Sequence, residues 1–176
     1  MRIITGKYKG RHFDIPRTFK ARPTTDFAKE NIFNVLNGYM DFEGCEALDL
    51  FSGTGSITLE LLSRGCAHVT SIELDRDHHR FICDCVKKLN TDDCLPLRAD
   101  VFRFVKSCRQ QYDIVFADPP YVLKELPQIP DLVFERALLK PDGILVFEHG
   151  KDHDFSQHPR FVEHREYGSV NFSLFR

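Results

Sequence analysis

From Glu46 onward, short apolar runs alternate with amphipathic stretches in a steady order. The runs EALDLF (46–51), HVTSIE (68–73), LPLRA (95–99), YDIVFA (112–117) and GILVFEH (143–149) have strand length and strand composition. Between them, Ser56–Ser63, Arg76–Leu89, Val101–Ser107 and Pro130–Leu139 read as helices. Strict alternation of this kind requires crossover connections, so it predicts a mainly parallel sheet with helices on both faces. The tail breaks the rhythm. RFVEHREYG and SVNFSLFR surround Gly168 and Ser169 with no helix between them, which predicts a closing antiparallel pair. At the other end, RIITGKYKGRHF is punctuated by Gly6 and Gly10 and suits a small hairpin. ARPTTDFAKENIFNVLNG reads as a helix with Thr24 or Thr25 as N-cap, Phe27, Ile32, Val35 and Leu36 as its apolar face, and Gly38 as its stop.

A chain of 176 residues, 42% hydrophobic, suffices for one domain with a real core. Residues 1–40 form a basic extension packed on a core domain of residues 41–176. The overall charge of −2 conceals an asymmetry: residues 1–22 carry +6 and the remainder −8. A basic segment of this density points to phosphate contacts, against the alternative of a solvated tail. Six cysteines without a CxxC pair, and no apolar run of signal or membrane-span length, point to reduced thiols in a cytoplasmic protein. His78, His79, Cys83 and Cys85 lack the second ligand pair that a structural zinc needs, so no metal is expected.

In an open parallel sheet, ligands bind in the crevice at the carboxyl ends of the strands. Four of those ends carry unusual chemistry. LDLFSGTGS (48–56) has Gly53 and Gly55, which allow a tight turn and close approach, followed by a helix N-terminus. Glu73 follows Gly53 by 20 residues at the end of the next strand, where an acid can accept both hydroxyls of a ribose. Asp100 after the third strand can accept from an adenine amino group or can cap the next helix. A nicotinamide site needs a third glycine where Thr58 stands, and a P-loop needs a Gly-Lys-Ser/Thr that the chain lacks. At the fourth end, DPPY (118–121) offers a carboxylate and carbonyls held in direction by Pro119 and Pro120. Together they can accept both N–H groups of a planar amine, with Tyr121 as a stacking face.

The DLFSGTG loop and the DPPY motif resemble those of class I S-adenosylmethionine-dependent methyltransferases. RIITGKYKGR, RPTTDFAKENIFNVL, LDLFSGTGSITLELLSRG and KPDGILVFEH, in that order, narrow the likeness to the bacterial small-subunit (16S) ribosomal RNA guanine-N2 methyltransferase family, over nearly the whole chain. Ser52, Thr54 and the Ser56–Thr58 triplet depart from the family's usual small residues. The resemblance implies a Rossmann-like class I fold with a seven-stranded sheet, and S-adenosylmethionine as cofactor. It places Asp49, Phe51, Ser52, Gly53, Thr54 and Gly55 around the methionine moiety, Glu73 on the ribose, and Leu74, Asp100 and Val101 about the adenine. Asp118, Pro119, Pro120 and Tyr121 are the implied catalytic residues. Arg2, Lys7, Lys9, Arg11 and Arg22 are expected to contact RNA.

The expected partner is ribosomal RNA or the small subunit, with no membrane and no metal, and the expected state is monomeric. The expected reaction is methyl transfer to the exocyclic nitrogen of an unstacked guanine. DPPY alone does not choose the base. Adenine-N6 methylation, or an idle RNA-binding assembly factor that binds no cofactor, remain as alternatives.

Overall fold

The computed structural model describes residues 1–21 and 23–176. Its centre is one seven-stranded sheet built from β1 (Glu46–Leu50), β2 (His68–Glu73), β3 (Cys94–Arg98), β4 (Tyr112–Ala117), β5 (Leu139–His149), β6 (Phe161–Tyr167) and β7 (Val170–Phe175). The spatial order is β3-β2-β1-β4-β5-β7-β6. The first five strands run parallel, and β7 lies antiparallel between β5 and β6. The chain therefore leaves β1 toward β2 and β3, then returns to the other side of β1 to begin β4. That reversal is the topological switch point, where an α/β sheet opens a crevice.

Period-two alternation sorts the strands onto two cores. Ala47, Ile114, Phe116, Ile144, Val146, Phe172 and Leu174 face one core. Its helices are α1 (Asp26–Leu36), α2 (Ser56–Ser63) and α3 (Arg76–Leu89). Leu48, Leu50, Val115, Ala117, Leu145, Phe147 and Phe175 face the other, with α4 (Val101–Ser107) and α5 (Ile129–Glu135) over them. The same parity puts Asp49, Glu73, Asp118 and Glu148 on the side of α1, α2 and α3.

Thr25 caps α1 by accepting from the Ala28 N–H at 3.2 Å, and Asp75 caps α3 by accepting from Asp77 and His78. The expected N-terminal hairpin is looser than a strand pair. A single antiparallel bridge joins Arg2 and His12, because the backbone N–H groups of Ile4 and Thr5 turn instead to the Glu60 carboxylate at 2.9 and 3.1 Å. Glu60 is fully buried, and its other partners are the Arg64 guanidinium at 3.0 Å and the Lys29 ammonium at 3.7 Å. Lys29, 1% exposed, also donates to the Arg2 carbonyl (2.7 Å) and to Ser56 Oγ (3.0 Å). A buried ion cluster thus rivets the start of the chain to α2. The helix expected to reach Leu139 stops at Glu135: Ala137 has a positive φ of 52°, and Leu139 already pairs with Tyr112 as the first residue of β5.

Candidate active site

A cavity of about 420 Å³ opens at the carboxyl ends of β1, β2, β4 and β5, within the size range of small-molecule sites. The glycine loop forms its floor. Gly55 is the N-cap of α2 with φ 83°, and a Cβ there would meet Ile82 Cγ1 at 2.9 Å, so both the backbone angle and the packing of α3 require glycine. Phe51 also has a positive φ of 59°, an uncommon state for a bulky residue, and its ring meets Phe102 edge-on while lining the cavity. Thr58, which occupies the place of a dinucleotide-loop glycine, donates to Asp49 Oδ2 at 2.6 Å and lies 3.1 Å from Ser71 Oγ. Ser71 in turn donates to Ser52 Oγ at 2.7 Å. These hydroxyls fix the Asp49 carboxyl, whose pKa is pushed up to about 7 by burial, with Glu73 adding repulsion against the hydrogen bonds.

Glu73 buttresses the loop from the next strand. Its Oε2 accepts from the Gly53 N–H at 2.6 Å and its Oε1 from the Asp75 N–H at 2.9 Å. Each carboxylate oxygen can accept a second bond, which leaves capacity for a diol. Overhead, Ala21, Pro23 and Thr24 line the cavity, and Phe19 packs edge-on against His78 and Phe81 of α3. The N-terminal segment is therefore a roof, a role that its sequence did not announce.

Across from Glu73 stands DPPY. Leu123 donates its N–H to the Pro120 carbonyl at 3.0 Å, closing a turn and leaving the Asp118 carboxyl and the Pro119 carbonyl as the acceptors of the loop. Tyr121 is 44% exposed, with its hydroxyl donating to Glu148 Oε1 at 2.9 Å. Burial and the neighbouring carboxylates of Glu148 and Asp49 push the Asp118 carboxyl well above the usual range. The Glu148 carboxyl is also raised by burial, while the Tyr121 hydroxyl and the neighbouring Asp118 and Thr24 side chains restrain the rise.

The structure brings together Asp49, Phe51, Ser52, Gly53, Thr54 and Glu73 with Asp118, Pro119, Pro120 and Tyr121 on one cavity wall. Gly55 lies behind that wall. Leu74 is 60% exposed at the end of β2, Val101 is buried in the second core, and Asp100 caps α4 by accepting from Arg103; none of the three lines the cavity. Of the basic residues, Arg2 pairs with Asp26 at 3.1 Å, Lys7 with Asp93 at 3.8 Å, and Arg11 donates to the Lys88 carbonyl at 3.0 Å. Lys9 is exposed, and Arg22 lies outside the described residues. Lys7 and Arg11 thus stand near the carboxyl end of α3, a helix length away from the cavity. Glu148, Thr24 and His78 are cavity residues that the motifs did not mark. For Glu148 the signal was a charge closing an all-apolar strand.

The full chain, residues 1–176, matches the family described as "Conserved hypothetical protein 95". The chain belongs to this family. It is 36% identical over 160 residues to the Haemophilus influenzae protein named ribosomal RNA small subunit methyltransferase D, covering 86% of this chain and 80% of the relative. The solved structure of the Escherichia coli protein yhhF superposes with a TM-score of 0.86 at 27% identity, over 99% of this chain and 96% of that one. The fold also matches, at a TM-score of 0.71 and 16% identity, a Thermus thermophilus 16S rRNA N2 G1207 methyltransferase solved with AdoMet and guanosine. That match covers 90% of this chain and 44% of the other. The likeness confirms a Rossmann-like class I methyltransferase architecture. Among the described residues there is no cluster of His, Cys, Asp and Glu able to hold a metal, and no helix long and apolar enough to cross a membrane.

The cavity suits S-adenosylmethionine on its own chemistry. Four carboxyls of one face, those of Asp49, Glu73, Asp118 and Glu148, line it, which suits a cationic ligand, and one of their oxygens, Glu148 Oε2, is buried without a hydrogen-bond partner. At Gly53, whose φ is 57°, a side chain would project under the roof toward Ala21, so the bare backbone keeps the floor open.

Proposed function

We propose that this protein transfers a methyl group from S-adenosylmethionine to the exocyclic N2 of a specific guanine in small-subunit ribosomal RNA. The observation that carries the reading is the meeting, in one cavity, of the glycine loop, the Glu73 carboxylate and the DPPY acceptors. Its relationship to a small-subunit rRNA methyltransferase supports the RNA substrate.

S-adenosylmethionine, when bound, supplies a methyl group on a positively charged sulfur. The chain's own residues do the rest by placement. Asp49, Phe51, Ser52, Gly53 and Thr54 form the floor that holds the donor, and Glu73 accepts its ribose hydroxyls. Gly55 sets the turn, while Leu74, Asp100 and Val101 frame the adenine side through the loops that carry them. The lone pair of a guanine amine is delocalised into the ring, which makes it a poor nucleophile. Asp118 and the Pro119 carbonyl each accept one N–H, which lets the nitrogen pyramidalise and aim its lone pair into the cavity. Positive charge that develops on that nitrogen lies beside the Asp118 carboxyl, so the interaction strengthens toward the transition state. Methylation acidifies the nitrogen, and Asp118 or water takes the proton afterward. Orienting the two reactants contributes about 7–11 kcal/mol.

A guanine stacked in a helix cannot reach Asp118, so the substrate is a flipped or looped base. Tyr121, anchored by Glu148, gives that base a platform worth about 1–3 kcal/mol. Residues 1–40 act as the docking element, with Arg2, Lys7, Lys9, Arg11 and Arg22 on phosphates. Mass mapping of modified nucleotides in ribosomal RNA from cells with and without the protein tests the assignment. One guanine should lose its N2-methyl group when the protein is missing. Loss of an N6-methyladenine instead, or of no mark at all, would refute it.

A further inference from the structure

Asp118 and Glu148 meet by construction. In the parallel pairing of β4 with β5, Ala117 stands opposite Phe147, so the next residue of each strand, Asp118 and Glu148, comes level on the same face. Glu148 is 6% exposed, its Oε1 accepts from Tyr121, and its Oε2, buried on the cavity side, receives no donor. Its β7 partner across the strand is Phe172, which has no side-chain donor, and of the two hydroxyls that share the cavity, Tyr121 is spent on Oε1 while Thr24 leaves Oε2 unbonded. Two adjacent buried carboxyls, one with an orphan oxygen, are satisfied together when a proton lies between them.

We propose that Asp118 and Glu148 hold one proton between them in the free protein and release it to solvent when the cationic methyl donor enters, so that Glu148 makes the pocket prefer the sulfonium donor over its neutral thioether product. This rests on reading the cavity as an S-adenosylmethionine site. In the free state the pair carries one negative charge, with Asp118 as the O–H donor to Glu148 Oε2. An entering positive charge favours the fully ionised pair, and the displaced proton goes to buffer. S-adenosylhomocysteine brings no sulfonium charge and leaves the proton in place. Glu148 acts through Asp118 and Tyr121 and is a positioning residue.

Other groups face the pair. Asp49 on β1 adds repulsion to Asp118 and titrates near 7 itself; Glu73 on β2 and Tyr121 after β4 share the cavity; His78 on α3 is the one basic group among its described lining residues. Thr24 offers only a hydroxyl. The comparison must therefore isolate Glu148 from Asp49.

Calorimetric titration of the purified protein with S-adenosylmethionine near neutral pH, repeated in buffers of different ionisation enthalpy, counts protons released on binding. The wild-type protein should release about half a proton or more in excess of Glu148→Gln, and affinity for the donor should rise by up to about tenfold per pH unit in the window where the pair titrates. In Glu148→Gln the repulsion from Glu148 is gone and the amide can donate to Asp118, so Asp118 ionises more readily and the pH dependence left over is that of Asp49 and of the burial of Asp118 itself. Asp118→Asn should remove the same excess. S-adenosylhomocysteine should show no difference between wild type and either variant. If the donor binds wild type and Glu148→Gln with equal proton release, the shared proton is refuted while the cofactor site stands. If the donor does not bind the folded wild-type protein at all, both fall. Circular dichroism of each variant verifies the fold, and either variant alone suffices for the comparison.

Discussion

Replacing Glu60 by Gln removes the centre of the buried cluster that holds the N-terminus to α2. The side chain keeps its shape but loses its charge, and it offers one acceptor where Ile4, Thr5 and Arg64 all present donors. Lys29 then has no countercharge at 3.7 Å. Breaking a buried pair on one side costs about 3–5 kcal/mol, and a backbone N–H left facing an amide NH₂ costs about 1–3 more. Lys29 sets a ceiling on its own part. It can drop its proton, which from the ordinary lysine value of 10.5 costs at most about 5 kcal/mol at neutral pH. Its bonds to the Arg2 carbonyl and Ser56 Oγ survive and keep the cost below that ceiling. The expected loss is about 4 kcal/mol, or a urea midpoint lower by about 2 M for an m-value near 2 kcal/mol/M. Urea unfolding at several pH values is the assay. Burial already lowers the Lys29 pKa, and losing Glu60 lowers it further. The unfolded state then binds more protons than the folded one, so the deficit is full below the folded pKa and shrinks as pH rises toward the unfolded value. A loss under about 1 kcal/mol, or a deficit that grows with pH, would refute the role given to this cluster.

Glu73→Ala should weaken S-adenosylmethionine binding at least tenfold by calorimetry, since it deletes the diol acceptor and the support of Gly53; an unchanged affinity would move the cofactor elsewhere. Asp118→Asn and Asp118→Ala should each slow single-turnover methyl transfer at saturating RNA by at least about 100-fold, some 2.7 kcal/mol. A near-normal rate for Asp118→Asn would show that accepting a hydrogen bond is enough. Changing Lys7, Lys9 and Arg11 together to Ala should weaken RNA binding and flatten its salt dependence while leaving cofactor affinity intact. An unaltered salt slope would place RNA docking nearer the roof, where Arg17 and Lys20 flank Phe19.

The periodic middle of the chain declared its architecture because each strand and helix buries a face, and burial writes a period into the sequence. The antiparallel end of the sheet was legible for the converse reason: no helix fits between Tyr167 and Val170. The floor of the cavity was readable from glycine spacing, and the DPPY wall from proline chemistry. The roof was not. Ala21, Pro23 and Thr24 carry no pattern that tells a covering segment from a linker, since their contacts are set by where the riveted N-terminus and α1 leave the chain. Asp100 could be read as a cap or a ligand acceptor, and its local bond to Arg103 shows the capping geometry. The Asp118–Glu148 pairing depends on the register of β4 against β5, which no residue states alone.

The rivet between Ile4 and Glu60 spans 56 residues of chain. During synthesis Ile4 therefore waits about 3–11 s, at ~5–20 residues per second, before the acid that receives it has been made. Glu148 comes later still, so no partial chain owns a complete pocket. An emerging polypeptide cannot sequester methyl donor or touch RNA productively until β5 has joined the sheet. The roof is made before the glycine loop it covers and can settle only after that loop exists.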